Sequence, residues 1–243
     1  MPNGSITFNG VNSAAAGVKA VEYYPPLDRP RRKFTKLEVP GRTGDVVIFE
    51  DAWEDYEQEY QIYGGTGLAG SAPTAFTSIM EWLHSGSGYC RLEDTYDSTI
   101  YRLAYFVGPT DVDSVFSRFG RATIKFMCQG KRFLKSGETA LTKSNGDSIA
   151  NPTAFASRPV IMVTGTDDGS GTFTVGETTV TLNNIEDGMI IDCEQMIVTN
   201  LSGDNLNSYM DLGDFPAIPS GTSSVATTGD ITSLSIVPNW FTI

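Results

Sequence analysis

Histidine and cysteine are scarce in this sequence, and their scarcity limits the chemistry it can perform. The 243 residues include one histidine, His84, and three widely separated cysteines, Cys90, Cys128 and Cys193. His84 comes at the end of a predicted helix, where an imidazole more often stabilises the helix dipole than performs catalysis. The paired Cys and His of a zinc site and the glycine-rich phosphate loop GxxxxGK followed by Ser or Thr are both absent. We therefore expect a protein that is not an enzyme and has no catalytic residue, cofactor or metal.

Carboxylates are the only potentially catalytic side chains that are numerous in the sequence. Candidate pairs such as Glu54 and Glu57 have no special setting in the sequence, so they give little support to a glycosidase-type hydrolase. The three cysteines lie in apolar or alternating stretches, which favours buried free thiols and folding in a reducing compartment.

Basic residues and long apolar runs are also few. The chain has 17 Lys and Arg against 29 Asp and Glu, with a net charge of −12 and a pI near 4.4. This balance argues against a sequence-independent nucleic-acid binder, which needs a basic surface. No stretch approaches the roughly 18 apolar residues that span a bilayer. The start, MPNGSITFNG, lacks the basic and apolar parts of a secretory signal. We expect synthesis in a cytoplasm without export by this route.

Alternation of apolar and polar residues is abundant and predicts a mainly β protein. Such half-buried strands are typical of antiparallel sheets with one face on the core. The faces predicted to be buried are Tyr56, Gln58, Tyr60 and Ile62, then Tyr101, Leu103, Tyr105 and Val107, then Ala122, Ile124, Phe126 and Cys128.

One helix is predicted over residues 73–85 and is expected to lie on the first of two β-sandwiches. Its apolar stripe has helical spacing and consists of Phe76, Ile79, Met80 and Leu83. Pro73 suits the first helical turn, and Gly86 suits the position just past the end. Trp82 lies at the edge of the stripe, where it can pack against a sheet or against a neighbouring molecule.

An acidic, aromatic segment stands between two strand-like stretches. EDAWEDYE (50–57) follows DVVIF (45–49) and precedes the Tyr-rich strand. Two long strands joined by this connection predict an arm that projects from the domain and carries Trp53 and Tyr56. The alternative is an ordinary exposed loop.

A basic run stands out against the acidic background. Arg29, Arg31, Arg32 and Lys33 lie in a stretch whose prolines, Pro25, Pro26 and Pro30, indicate an extended loop. The simple interpretation is a solvated loop. The favoured one is a basic patch that pairs with the acidic arm of a neighbouring copy and sets the register of the interface. The candidate oligomer-interface residues are therefore Arg31, Arg32, Trp53, Tyr56 and Trp82.

A change of composition predicts a domain boundary near residue 135. Residues 135–157 are polar and rich in turn formers, and short strands follow them at 160–163, 172–175, 178–182, 189–191, 195–199 and 234–237. Several short strands at this spacing favour a second all-β sandwich. The predicted domains are 1–135 and 136–243.

A series of short motifs, in a fixed order along nearly the whole chain, resembles a known family. They are FNGV (8–11), EVPGRTGDV (38–46), IMEWLHSGSGYCRLED (79–94), NPTAFASRPVIMVTG (151–165), IIDCE (190–194), DFPAIPSG (214–221) and VPNW (237–240). In this order they are similar to the distal tail proteins (Dit) of long-tailed phages, the siphoviruses, and of prophages in Gram-positive hosts.

The resemblance implies both a fold and a function. The implied fold is an N-terminal β-sandwich with one α-helix and a projecting β-hairpin arm, followed by a galectin-like C-terminal β-sandwich. The implied function is structural: a hexameric ring at the distal end of a phage tail, closed by the N-terminal domains and their arms around the DNA channel. Residues 40–45, PGRTGD, and the acidic arm would belong to the ring-forming region.

The resemblance also implies partners and a location. The partners are other copies in a homohexamer, the tail-tube protein, the tape measure protein and the tail-associated lysin or hub protein of the baseplate. Receptor-binding proteins are a further candidate, and DNA would pass through the channel without specific binding. The implied location is the tail tip of the virion.

A carbohydrate-binding module that contributes to host-surface attachment is the alternative function. Some relatives carry an inserted module of this kind, for which this chain has no room, so direct receptor binding is in doubt. A sugar site also tends to show an exposed aromatic platform, and the second half has few aromatic residues: Phe155, Phe173, Tyr209, Phe215, Trp240 and Phe241.

Overall fold

The computed structural model describes residues 4–22, 29–66, 71–113, 120–186, 188–211 and 213–243. Pro25 and Pro26 of the basic run lie outside these ranges. The fold is mainly β, as the alternation predicts. The chain divides into two compact units, residues 1–132 with residue 243, and residues 133–242. The roles predicted for the two domains stay predictions.

The first unit is a curled antiparallel sheet with one helix, α1 (Ser71–Leu83). Its strands are β1 (Ile6–Phe8), β2 (Val11–Asn12), β3 (Val18–Glu22), β4 (Arg32–Leu37), β5 (Val46–Trp53), β6 (Tyr56–Gly64), β7 (Cys90–Asp94), β8 (Ile100–Asp113) and β9 (Gly120–Leu134). Seven of them are ordered β2-β1-β7-β8-β9-β6-β3. Gly4 bridges to Val21, so the two ends of this sheet approach each other. β4 and β5 form a separate two-stranded sheet.

The core of the first unit lies between the concave face of the sheet and α1. Two of the three predicted buried faces are confirmed, because the side chains of β6 and β9 pointing inward include Tyr60, Ile62 and Phe126. The helix prediction is also confirmed, with both ends two residues earlier than expected. Ile79 and Leu83 are buried against the sheet.

The third predicted buried face is wrong. On β8 the opposite face is turned inward, so Arg102 and Ala104 are buried, whereas Tyr105 is 38% and Val107 51% exposed. The reason is a partner that alternation cannot show: the Arg102 guanidinium meets the Asp94 carboxylate at 2.9 Å, and both side chains are buried. A buried charge is tolerated when it is paired in this way.

The arm predicted from residues 45–57 is wrong in its strands: the hairpin that the structure shows is formed by β4 and β5, and the acidic segment does not connect its two strands. β5 pairs with β4, with Ile48 opposite Thr35, whereas β6 joins the large sheet through β9. The acidic segment therefore lies at the root of the hairpin: residues 50–53 end β5, and only Glu54 and Asp55 separate it from β6. Part of the basic run, predicted as a loop, forms β4.

The second unit is a sandwich of two antiparallel sheets. Its strands are β10 (Leu141–Lys143), β11 (Ser148–Asn151), β12 (Val160–Gly165), β13 (Gly169–Val175), β14 (Thr178–Ile185), β15 (Met189–Asp192), β16 (Ile197–Thr199), β17 (Gly221–Gly229), β18 (Ile231–Val237) and β19 (Phe241–Thr242). Two 3₁₀ turns cover Lys135–Glu138 and Asn207–Tyr209. The sheets are ordered β10-β18-β12-β15-β16 and β11-β17-β13-β14, and β19 belongs to neither of them.

The core of the second unit is formed by the inward faces of both sheets. Ile161 and Val163 of β12 and Phe173 and Val175 of β13 are completely buried in one cluster. All six strands predicted in this half overlap an observed strand, whereas β10, β11, β17 and β19 were not predicted. No helix in the described parts of the chain is long and apolar enough to cross a bilayer.

Candidate assembly surface

The most unusual surface of the first unit is the hairpin of β4, residues 38–45 and β5, which we call the arm. Its strands pair from Arg32 opposite Trp53 to Leu37 opposite Val46. The connecting loop turns at Gly41 and Gly44, whose φ angles of 81° and 86° are left-handed and suit glycine. PGRTGD (40–45), implied by the resemblance to belong to the ring-forming region, is therefore the tip of the arm.

Side chains across the arm hold its two strands together. The rings of Phe34 and Phe49 meet edge to face at 6.0 Å between centroids. The Arg32 guanidinium lies 5.4 Å from the centre of the Phe49 ring, and its Nε donates a hydrogen bond of 2.9 Å to the Glu50 carbonyl oxygen. Within β4, the Lys36 ammonium lies 5.7 Å from the centre of the Phe34 ring. The contacts of Phe49 with Phe34 and Arg32 are the ones that join the two strands, and each contributes a fraction of a kilocalorie per mole.

The arm nevertheless leaves large apolar side chains in solvent. Ile48 is 54% and Phe49 59% exposed, and Phe34, Leu37 and Val47 are also exposed. An isolated two-stranded hairpin is marginally stable in water, and among the described strands neither β4 nor β5 has a second neighbour at its outer edge. Contiguous apolar surface of this kind is typical of a protein–protein contact.

The root of the arm is fixed to β9. The Glu54 N–H donates a hydrogen bond of 2.8 Å to the Arg31 carbonyl oxygen, which closes the hairpin at its base. Trp53, half-buried, packs directly over Gly130, where a larger side chain would collide with it. The root of the arm is therefore packed directly against β9.

Tyr56 and Trp82 lie inside the first unit. The Tyr56 hydroxyl accepts a hydrogen bond of 3.1 Å from Arg102 Nε, and burial raises the pKa of Tyr56 to about 12. Trp82 is buried, and its indole N–H donates a hydrogen bond of 3.2 Å to the Phe8 carbonyl oxygen. Trp82 was expected to pack against either a sheet or a neighbouring molecule, and in the structure it packs against the sheet.

Three of the five candidate interface residues come together at the arm, namely Arg31, Arg32 and Trp53. An interface role for all five stays a prediction, to which the burial of Tyr56 and Trp82 adds no support. Sequence reasoning missed Ile48 and Phe49, two strongly exposed apolar residues of the arm. The available signal was VVIF (46–49), a run without alternation, which is typical of a strand covered on both faces.

The candidate catalytic groups lie in ordinary settings. His84 is exposed and its ring meets Phe106 edge to face at 5.1 Å. Glu57 forms an ion pair of 3.0 Å with Lys125 on the outer face of the sheet, and Glu54 is exposed. Among the described residues, no group of three or more His, Cys, Asp or Glu side chains could hold a metal ion.

The second unit offers no aromatic platform for a sugar. Its aromatic side chains are all described, and each is buried or half-buried. Phe173 and Trp240 belong to the core, Tyr209 and Phe215 pack against it, and Phe155 stacks on Phe241 at 5.5 Å.

Comparison with known proteins identifies solved structures with a similar fold. No family model and no curated protein matches this chain. Among solved structures, the Dit protein of phage SPP1 matches with a TM-score of 0.69 and 10% identity over 99% of both chains. This chain has the fold of SPP1 Dit. SPP1 Dit is described as a paradigm of the hub adsorption apparatus in phages that infect Gram-positive bacteria.

Two structures of the phage p2 baseplate in its activated conformation match this chain less well. The strontium form matches with a TM-score of 0.50 over 96% of both chains, at 10% identity. The calcium form matches with a TM-score of 0.51 over 96% of this chain and 97% of the other, also at 10% identity. At this level of identity the likeness concerns the fold alone.

Proposed function

We propose that this protein is a structural component of a phage tail tip, forming a hexameric ring at the distal end of the tail. In this proposal the ring surrounds the DNA channel and connects the tail tube to the baseplate hub or tail-associated lysin, with the tape measure protein and receptor-binding proteins as further partners. The likeness to SPP1 Dit over the whole chain supports a tail-tip role.

The arm is the observation that most directly supports the proposed ring. Its exposed apolar side chains, and its strand edges that have no second neighbour among the described strands, are costly in a single molecule and are relieved by docking on another copy. Because the arm and its receiving surface are different parts of the same chain, the contact is heterologous, and a series of such contacts closes into a ring when the rotation allows.

The charge of the two units is consistent with a channel through which DNA passes without binding. The first unit is nearly balanced, with 14 Lys and Arg against 16 Asp and Glu, whereas residues 133–242 carry 3 against 13. Negative surface repels the phosphate backbone, and a balanced one attracts it weakly. A basic channel lining would hold the DNA and oppose ejection.

The test removes apolar surface from the arm while leaving the cores intact. For Phe49→Ser, native mass spectrometry should show single copies at concentrations where the parent protein forms rings. The reason is that an aromatic side chain at the centre of an interface can contribute about 2 kcal/mol or more to each contact. Leu201→Ser, which removes an exposed apolar side chain from the second unit, is the matched control and should keep the ring. A parent protein that remains single at high concentration would refute the proposal.

The predicted role of the basic run has its own test. Arg31→Glu with Arg32→Glu should weaken the ring if these side chains pair with acidic residues of a neighbouring copy. Unchanged ring content in the double variant would remove the basic run from the proposed interface.

A further inference from the structure

The strand β8 has a long segment without a neighbour on one side. β7 pairs with β8 only from Leu92 opposite Arg102 to Cys90 opposite Ala104. β8 continues to Asp113, and within the described residues its remaining neighbour is β9, on the other side. Residues 105–113 therefore present an open edge of about 30 Å, at roughly 3.3 Å per residue.

A groove in α1 lies beside this open segment. It has a volume of about 510 Å³ and an apolar lining, formed by Pro73, Phe76, Thr77, Met80, Glu81 and His84. His84, at one end, contacts Phe106 of β8, and Phe76, at the other, packs against Gly120 at the start of β9. The groove therefore follows the inner face of the sheet over the length where β7 is missing.

The outer face of the same segment is apolar as well. Tyr105 and Val107 are exposed there, and the Tyr105 ring meets that of Tyr89 at 5.3 Å. An added strand at this edge would thus find backbone groups to pair with, an apolar groove under one of its faces and apolar side chains beside the other. A strand that fits must be apolar on both faces.

The arm supplies such a strand. Residues 46–49 of β5 are four consecutive apolar residues, and β5 pairs only with β4 among the described strands, so its second edge is open. Successive side chains point to opposite faces, which places Val47 and Phe49 on one side and Ile48 on the other. β4 is a poorer candidate, because Arg32, Lys33 and Lys36 occupy three of its six positions.

We infer that β5 of one copy docks as an added strand on residues 105–113 of the next copy and places apolar side chains in the α1 groove. The inference rests on the proposed ring and names the surface that receives the arm. Backbone pairing supplies affinity in such strand addition, and the side-chain pockets supply register.

The experiment crosslinks the arm to the groove in the full-length chain. In a Cys90→Ser background, cysteines are placed at Val47 or Ile48 in combination with Thr77→Cys, and a short bis-maleimide is added. The two remaining cysteines are buried and their pKa values are raised to about 12, so they stay unreactive. At least one arm position should give a ladder of linked copies up to the complete ring.

The matched control moves the groove cysteine to Ser78, which is equally exposed but does not line the groove. These variants should form rings and give no ladder. As a second measurement, amide exchange at residues 105–108 should be slower by about tenfold or more in the ring than in Phe49→Ser, because the added strand protects that edge.

The outcomes separate the two proposals. Rings without any ladder through Thr77→Cys, and without protection of residues 105–108, would overturn the docking site and leave the ring intact. Absence of rings in the parent protein would overturn both.

Discussion

At the scale of single residues, the first unit depends on a buried charge that is fully hydrogen-bonded. One Asp94 oxygen accepts hydrogen bonds of 2.9 Å from the Tyr60 hydroxyl and from Arg102, and the other accepts from the Tyr96 and Asp97 N–H groups. Burial alone would lower the pKa of Arg102, but the oxygens of Tyr60, Tyr56 and Asp94 outweigh it and raise that pKa. The guanidinium therefore remains charged inside the core.

Removing the charge of Asp94 should be strongly destabilising. Asp94→Asn leaves Arg102 buried without a counter-ion, a change that costs about 3–5 kcal/mol. Urea unfolding followed by tryptophan fluorescence measures it. Glu57→Gln, which breaks an exposed ion pair with Lys125, should cost less than about 1 kcal/mol. Equal losses in the two variants would contradict this account of the core.

Alkaline pH should weaken the fold through groups that are buried in their neutral form. Burial raises the pKa of the Cys128 and Cys193 thiols from 9.0, and that of the Tyr56 hydroxyl from 10.0, each to about 12. The unfolded chain loses these protons first, so their stabilising contribution is complete below pH 9 and is lost as the pH rises towards 12.

The expected loss is about 1.4 kcal/mol for each thiol one pH unit above its unfolded pKa. It is measured by urea unfolding at about pH 8 and about pH 10. Cys193→Ala should show a shallower pH dependence than the parent protein. Identical free energies of unfolding at the two pH values would contradict the burial of these groups.

At the scale of elements, the arm depends on a close approach between its root and β9. A Cβ at Gly130 would collide with Trp53 and would come within 2.7 Å of the Glu54 carbonyl oxygen. Neither of these groups is the far end of a flexible side chain, so the backbone itself must shift.

Gly130→Ala should therefore displace the arm and lower the free energy of unfolding by about 1–3 kcal/mol, the usual cost of overpacking. Chemical denaturation measures the loss, and native mass spectrometry should show fewer rings. Thr123→Ala, on the outer face of the same strand, is the control and should change neither. Full stability of Gly130→Ala would show that Trp53 is less tightly packed than described.

The elements also show what the sequence could and could not predict. Helical spacing was sufficient for α1, and alternation was sufficient for β6 and β9, because each of these buries one face against the core. The wrong face of β8 was predicted to be buried. Arg102 is buried because it pairs with Asp94 on another strand, and such a pairing leaves no pattern in the local sequence of β8. β4 was missed because a strand rich in Arg and Lys, without a core beneath it, has no pattern of burial.

At the scale of the whole molecule, the absence of an exposed aromatic platform in the second unit gives a prediction against sugar binding. Stacking on an open aromatic ring is a common means of sugar recognition, and Phe155, Tyr209 and Phe215 are all engaged in packing. The full-length chain on a glycan array should show no binding above background. Clear binding that survives high salt would favour the carbohydrate-binding alternative.

The arm also determines how completely the proposed ring would form. When copies join one after another through their arms, each new copy loses the full translational and rotational entropy of association. The last contact loses less, because it joins two ends of an assembly that are already held together. The effective concentration for that final step is of the order of millimolar, well above that of free copies. Closure is therefore favoured over further growth, and partial rings are short-lived. Single copies and finished rings would dominate the population, so a tail tip would begin from a complete platform.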